Sequence, residues 1–262
     1  MSAQIPDVLR EIVARKKADL PALIPQTESF QQAAESRRAT RRSFRQALAA
    51  APPSVISEVK KASPSKGIFV EDFRPAEIAA SYVQGGAAAI SVLTDEQFFK
   101  GSLADLEAVR ATVPVPVLRK DFTIHEVHVH QAAAHGADAI LLIAAILTTE
   151  EMCRFRELAA SYEMDALVEV HNEEELEWAL DSEPEIVGVN NRDLRTFQVS
   201  LDVSLRLAER IPDHALKVSE SGIHNHGHVE TLQQAGYTSF LVGEHLMLSG
   251  DAAASLRALR GV

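Results

Sequence analysis

From Ser54 onward, short runs rich in Val, Ile and Leu alternate with longer segments whose apolar positions recur every three or four residues. The runs cover 55–60 (VISEVK), 88–93 (AAISVL), 115–120 (VPVLRK), 138–143 (DAILLI), 165–170 (DALVEV), 185–190 (EIVGVN), 215–220 (ALKVSE) and 239–244 (SFLVGE). Apolar runs this short, bounded by Gly, Pro or Asp, predict parallel strands covered on both faces. Pro75–Gly85, Glu126–Gly136, Glu150–Tyr162 and His226–Gly236 carry the helical period. Gly85, Gly136 and Gly236 stand where a C-terminal cap ends a helix. The strand-to-strand spacing of roughly 20 to 35 residues is that of βα units. Eight of them predict an α/β fold, a closed (β/α)₈ TIM barrel. No Gly-x-Gly-x-x-Gly follows the first run, which argues against a dinucleotide-binding sheet. Residues 1–53 are expected to form an N-terminal helical extension of one barrel domain spanning 1–262.

Run after run closes on a polar residue. Glu58 and Lys60 end the first, Lys120 with Asp121 and Phe122 the third, and Glu169 the fifth. Asn190, with Arg192 beyond, ends the sixth, Glu220 with Ser221 and Gly222 the seventh, and Gly243 the eighth. In a barrel these edges surround one cavity, the usual place of catalysis. Glu58 and Lys60 lie two apart, so both point to the same side of their strand. Buried charges must be paired or bind a charged ligand.

The net charge is −11. That balance argues against nucleic acid or an anionic membrane as partner. Yet Lys60, Lys61, Lys66, Lys120 and Arg192 all fall on this rim or its loops. Such a local excess of cations points to an anionic ligand. Gly222 and Gly243 let backbone N–H groups approach a phosphate closely. The residues alone therefore predict an acid–base enzyme acting on a small phosphorylated substrate.

The remaining features narrow this little. The basic stretch from Arg37 to Arg45 is expected to be a solvated helical face around Phe44 and Leu48. The longest apolar run, 137–147, is interrupted by Asp138 and is too short to cross a bilayer. Cys153 has no partner for an internal disulfide, and the first twenty residues lack the apolar block of a signal peptide. A cytoplasmic location is expected. His125, His128, His130 and His135 lack the accompanying ligands of a metal site, so no metal is expected.

Six segments are more specific: ISEVKKASPS (56–65), LRKDF (118–122), LVEV (167–170), GVNNRDL (188–194), SESGI (219–223) and FLVG (240–243). In register, they resemble the indole-3-glycerol phosphate synthase family through all eight strands. The resemblance implies ring closure of 1-(2-carboxyphenylamino)-1-deoxyribulose 5-phosphate with loss of carbon dioxide and water, without a cofactor. It implies that Lys120 is the general acid and that Glu169 transfers protons in the dehydration. Lys60 would meet the substrate's anionic groups and donate a proton, while Glu58 and Asn190 orient and polarise. Ser63, Phe122, Arg192, Glu220 and Ser221 would bind substrate, and Gly222, Gly243 and Glu244 the phosphate. Other tryptophan-pathway enzymes remain open as partners.

Two expectations follow from the chemistry. Lys60 and Lys120 in one cavity should repel, lowering the pKa of at least one. Glu244 stands where a serine is another choice; its carboxylate would repel a phosphate, so it is expected to turn outward and offer only its backbone N–H. Ser63 and Ser65, flanking Pro64, fit either substrate contact or a mobile loop. The rival barrel, phosphoribosylanthranilate isomerase, places a cysteine where Glu58 and Lys60 stand here. A non-catalytic phosphate-binding barrel would leave two lysines and a glutamate on separate strands unexplained.

Overall fold

The computed structural model describes residues 6–64 and 66–262. Ser65, one of the two serines named above, lies outside the described residues. Eight parallel strands close into a barrel. They are β1 (Ser54–Val59), β2 (Ala89–Leu93), β3 (Val117–Lys120), β4 (Ala139–Ile143), β5 (Asp165–Val170), β6 (Ile186–Asn190), β7 (Leu216–Glu220) and β8 (Ser239–Val242). Closure comes from β8 pairing with β1, Ser239 opposite Ser54 and Val242 opposite Ser57. All eight predicted runs are strands. β3 begins two residues later than its run because Pro114 and Pro116 have no N–H to give a ladder. β8 stops at Val242 because Gly243 opens the helical turn Glu244–Met247.

The period of two along each strand sorts the core into two layers. Val55, Val59, Ile90, Val92, Ile140, Leu142, Val187 and Val189 pack with the surrounding helices. Ile56, Ala89, Leu118, Leu141, Leu167, Ile186, Val218 and Leu241 fill the interior. The inward parity continues to the strand ends. Ile56 leads to Glu58 and Lys60, Leu118 to Lys120, Leu167 to Glu169, Ile186 to Asn190, and Val218 to Glu220.

Among the described residues three α-helices precede β1: α1 (Asp7–Leu23), α2 (Thr27–Arg37) and α3 (Phe44–Ala50). Leu9 and Ile12 of α1 and Phe44 and Leu48 of α3 join the interior cluster from opposite ends. Lys16 pins α1 beside the C-terminal mouth, its ammonium 2.6 Å from Asp121 and 3.2 Å from Asp95.

The basic stretch is not a solvated face throughout. Arg42 donates to the Val113 and Val115 carbonyls at 2.6 and 2.8 Å, and Arg41 to the carbonyls of Ala133 and Ala137. Strand and helix ends leave carbonyls without a ladder partner, and a guanidinium carries enough donors to satisfy several at once. Arg37, Arg38 and Arg45 do stay largely in solvent. No helix among the described residues is long and apolar enough to cross a membrane.

Candidate active site

A cavity of about 420 Å³ opens at the C-terminal ends of the strands. Lys60, Glu58, Lys120, Asn190, Glu220, Ser63, Phe122, Arg192, Ser221, Gly222, Gly243 and Glu244 all line it. Of the five rim cations, Lys60, Lys66, Lys120 and Arg192 do so and Lys61 does not. Glu169 lies one layer below. Its carboxylate sits 2.9 Å from the Lys120 ammonium and 3.3 Å from Asn190 Nδ2. Lys60 is 2.7 Å from Glu58, and Lys120 is also 3.7 Å from Glu220. The predicted catalytic residues therefore form two contact groups at one cavity, Lys60 with Glu58 and Lys120 with Glu169 and Asn190.

Burial and pairing compete across these groups. Burial alone would lower the pKa of Lys120, but Glu169, Glu220 and Glu58 outweigh it and hold the lysine above its ordinary value. The repulsion expected to lower the pKa of at least one of the two lysines therefore does not prevail at Lys120. Attraction to the three acids exceeds the cost of burying the ammonium. Burial would raise the carboxyl of Glu169, but Lys120 and then His171 hold it well below the carboxylate range. Burial likewise opposes Glu58, whose pKa is nonetheless lowered by Lys60 and Lys120. Glu220 goes the other way: burial and the neighbouring Glu169 push it up to about 8, with Lys120 opposing. Glu220 Oε1 has no hydrogen-bond partner among the described residues. Glu220 is thus biased toward its neutral form while Glu169, beneath it, is biased toward its ionised form.

Asn190 is fixed from three sides. Beyond its bond to Glu169, its Oδ1 accepts from the Ser221 hydroxyl at 2.9 Å and from the Arg192 N–H at 3.1 Å. Ser221 and Gly222 both take left-handed backbone conformations, φ 68° and 80°. At Gly222 a Cβ would also meet Val199 Cγ1 at 2.6 Å. Gly243 is required for a different reason: any side chain there would run into the Glu58 carboxylate. Glu244 does not turn outward. Its carboxylate pairs with Lys66 and lies 3.5 Å from Arg192 Nη2, because two rim cations attract it into the mouth.

The opposite wall is apolar. Val8, Leu9 and Ile12 of α1 meet Phe99, Phe122, Leu141 and Leu194 there, with the rings of Phe99 and Phe122 6.1 Å apart. Sequence reasoning named Phe122 and missed the rest. The spacing of Leu9 and Ile12, three apart on a helix, was the available signal. It also missed His171, two residues beyond Glu169, though the same spacing had linked Glu58 to Lys60. His128 and His130 are buried and engaged in packing. His128 is pushed down to about 3 by burial and by Arg119, and His130 Nδ1 lies 2.9 Å from the Tyr162 hydroxyl.

Residues 9–259 match the family described as indole-3-glycerol phosphate synthase. Proteins of that name are similar along nearly the whole chain. The one from Albidiferax ferrireducens is 46% identical, covering 97% of this chain and 98% of its own. That from Chromobacterium violaceum is 47% identical, with 97% of both chains covered. That from Koribacter versatilis is 44% identical over 100% of this chain and 98% of its own. Among solved structures, a thiamine phosphate pyrophosphorylase from Pyrococcus furiosus superimposes with a TM-score of 0.61 at 16% identity, covering 84% of this chain and 96% of that one. At that identity it shares the fold alone.

Proposed function

The chain belongs to the indole-3-glycerol phosphate synthase family, carboxy-lyases of tryptophan biosynthesis, and on that premise we propose how its site works. The substrate is 1-(2-carboxyphenylamino)-1-deoxyribulose 5-phosphate. Its aryl ring lies against Leu9, Ile12, Phe99, Phe122, Leu141 and Leu194, and its phosphate meets the Gly222 and Gly243 loops near Lys66 and Arg192. Lys60 meets the anionic groups between them.

The aromatic carbon bearing the carboxylate attacks the ketone, and Lys120 protonates the oxygen that becomes anionic. Breaking the ring–carboxylate bond releases carbon dioxide and returns the electron pair to the aromatic system. The new hydroxyl then leaves as water with a proton from Lys60, while Glu169 takes the proton from the adjacent carbon. Two protons leave the lysines and one reaches Glu169, so each turnover draws one proton from solvent. Glu58 keeps Lys60 charged and in place. Asn190 steers Glu169, and Glu220 and Ser221 contact the substrate. Because Lys120 covers Glu169, turning of the lysine toward the substrate oxygen uncovers the base for the later step.

The observation that carries this reading is the Lys120–Glu169 contact of 2.9 Å beneath a cavity with a cationic end and an apolar end. The test is to add the carboxyphenylamino substrate and follow indole fluorescence. Product formation is expected. Binding of the substrate without product would favour a non-catalytic barrel and overturn the proposal.

A further inference from the structure

His171 follows β5 immediately and is nearly enclosed. Its Nε2 lies 3.2 Å from Glu169 Oε1, and its Nδ1 lies 2.9 Å from Glu175 Oε2. Glu175 is itself immobilised. One of its oxygens accepts the His171 main-chain N–H at 2.9 Å, the other accepts from Asn172 Nδ2 at 2.8 Å, and its own N–H is capped by Asn172 Oδ1 at 2.9 Å. The imidazole therefore lies between two carboxylates, hydrogen-bonded to Glu175 at the start of the following helix and in ion-pair distance of Glu169. It lines the neighbouring cavity, with Asn172, Glu175 and Trp178, rather than the substrate cavity.

We propose that His171 is a positioning residue for the reaction: a fixed imidazolium behind Glu169 that holds the orientation and the negative charge of that carboxylate without touching substrate. The proposal rests on the reading of Glu169 as the proton acceptor. Its logic comes from the order of events. Glu169 has two cationic neighbours, and one of them, Lys120, gives up its proton or turns to the substrate in the first step. If Lys120 were its only counter-charge, the carboxylate would be left in a buried site with nothing to keep it ionised, beside Glu220, just when it is needed as a base. His171 does not take part in the chemistry, so its charge persists through that step. The groups facing the ring are Glu169 and Glu175, with Lys120 beyond Glu169. Burial opposes the charged ring, but Glu169 and Glu175 outweigh it and raise its pKa to about 10. A structural histidine would serve equally well neutral.

Two measurements test this. In wild-type enzyme carrying ¹⁵N-labelled histidine, the resonances missing from a His171→Asn spectrum identify His171. Both of its ring nitrogens are expected to be protonated at pH 7.5, and a neutral ring would overturn the proposal. In kinetics, His171→Asn is expected to lower kcat by about tenfold or more, with KM within about threefold, a smaller loss than for Glu169 itself. The acid limb of its kcat profile should move up by about one pH unit or more. Glu175→Gln leaves the contacts of Glu169 intact but weakens the charge on His171, so it should move that limb the same way by less. An unmoved acid limb in both variants, or a change in KM alone, would contradict the proposal. Wild-type turnover in Glu169→Gln would instead remove the premise, whereas a neutral His171 removes only this inference.

Discussion

The two ends of the barrel both bury charge, and they use different chemistry to do it. At the N-terminal end, Asp138 accepts the main-chain N–H groups of Arg42 and Val117 at 3.0 and 2.9 Å and pairs with Arg110 at 2.9 Å. Arg41 and Arg42 direct their guanidinium groups at main-chain carbonyls. At the C-terminal end the inward cations are Lys60 and Lys120, and the acids Glu58, Glu169 and Glu220 share a small volume with them. A guanidinium does not release its proton under ordinary conditions, so arginines on carbonyls can only hold. An ammonium between carboxylates can give a proton and regain it. Buried charge alone therefore says little about chemistry. The residue type and the presence of an acid out of its usual ionisation state, as at Glu220, say much more.

The contrast can be broken or sharpened at several points. Asp138→Ala leaves Arg110 without its carboxylate and two main-chain N–H groups without their acceptor, and should cost about 3–5 kcal/mol in urea unfolding. Its turnover per folded molecule should stay at the wild-type value, and a folded but inactive variant would blur the distinction. Next comes the pH dependence at the other end. The folded pKa of His171, about 10, lies above its ordinary value of 6.5. Its stabilising charge is therefore complete below pH 6.5, fades as pH rises, and is lost above about 10. The stability gap between wild type and His171→Asn should shrink through that window by on the order of a few kcal/mol. A gap that stays flat across that window would mean the ring is neutral. Arg42→Ala exposes two carbonyls and should cost about 1–3 kcal/mol with no change in kcat. The smallest effect is expected for Glu244→Gln. Freeing Lys66 and Arg192 from a part-exposed carboxylate should lower KM about two- to fivefold and leave kcat unchanged, the scale of such ion pairs. A rise in KM would show that Glu244 helps to hold the phosphate loop.

The barrel was legible because its strands are continuous apolar runs with a fixed period, and that period carries to the rim. Ile56 facing inward places Glu58 and Lys60 inward without any knowledge of their partners. What stayed hidden depends on distant pairing. Nothing local in the Arg37–Arg45 stretch reveals the Val113, Val115 and Ala133 carbonyls that Arg41 and Arg42 reach. Glu244 looked like an intruder at a phosphate loop until Lys66 was seen to meet it. The pKa of Lys120 could be misjudged because counting lysines on the rim left out Glu220, which reaches it from four strands away across the barrel. His171 was one spacing step from Glu169, yet its significance depends on Glu175 folding back from the next helix.

The central claim is that Lys120 and Glu169 move protons in turn on one bound substrate. It is tested most directly by single-turnover measurements on Lys120→Ala and Glu169→Gln, normalised to folded protein, with carbon dioxide and indole followed separately. The account predicts that both variants lose about a hundredfold or more in indole formation. Lys120→Ala should also stop carbon dioxide release, while Glu169→Gln should still release it and stall before dehydration. Indole formation at the wild-type rate in either variant would contradict the assignment.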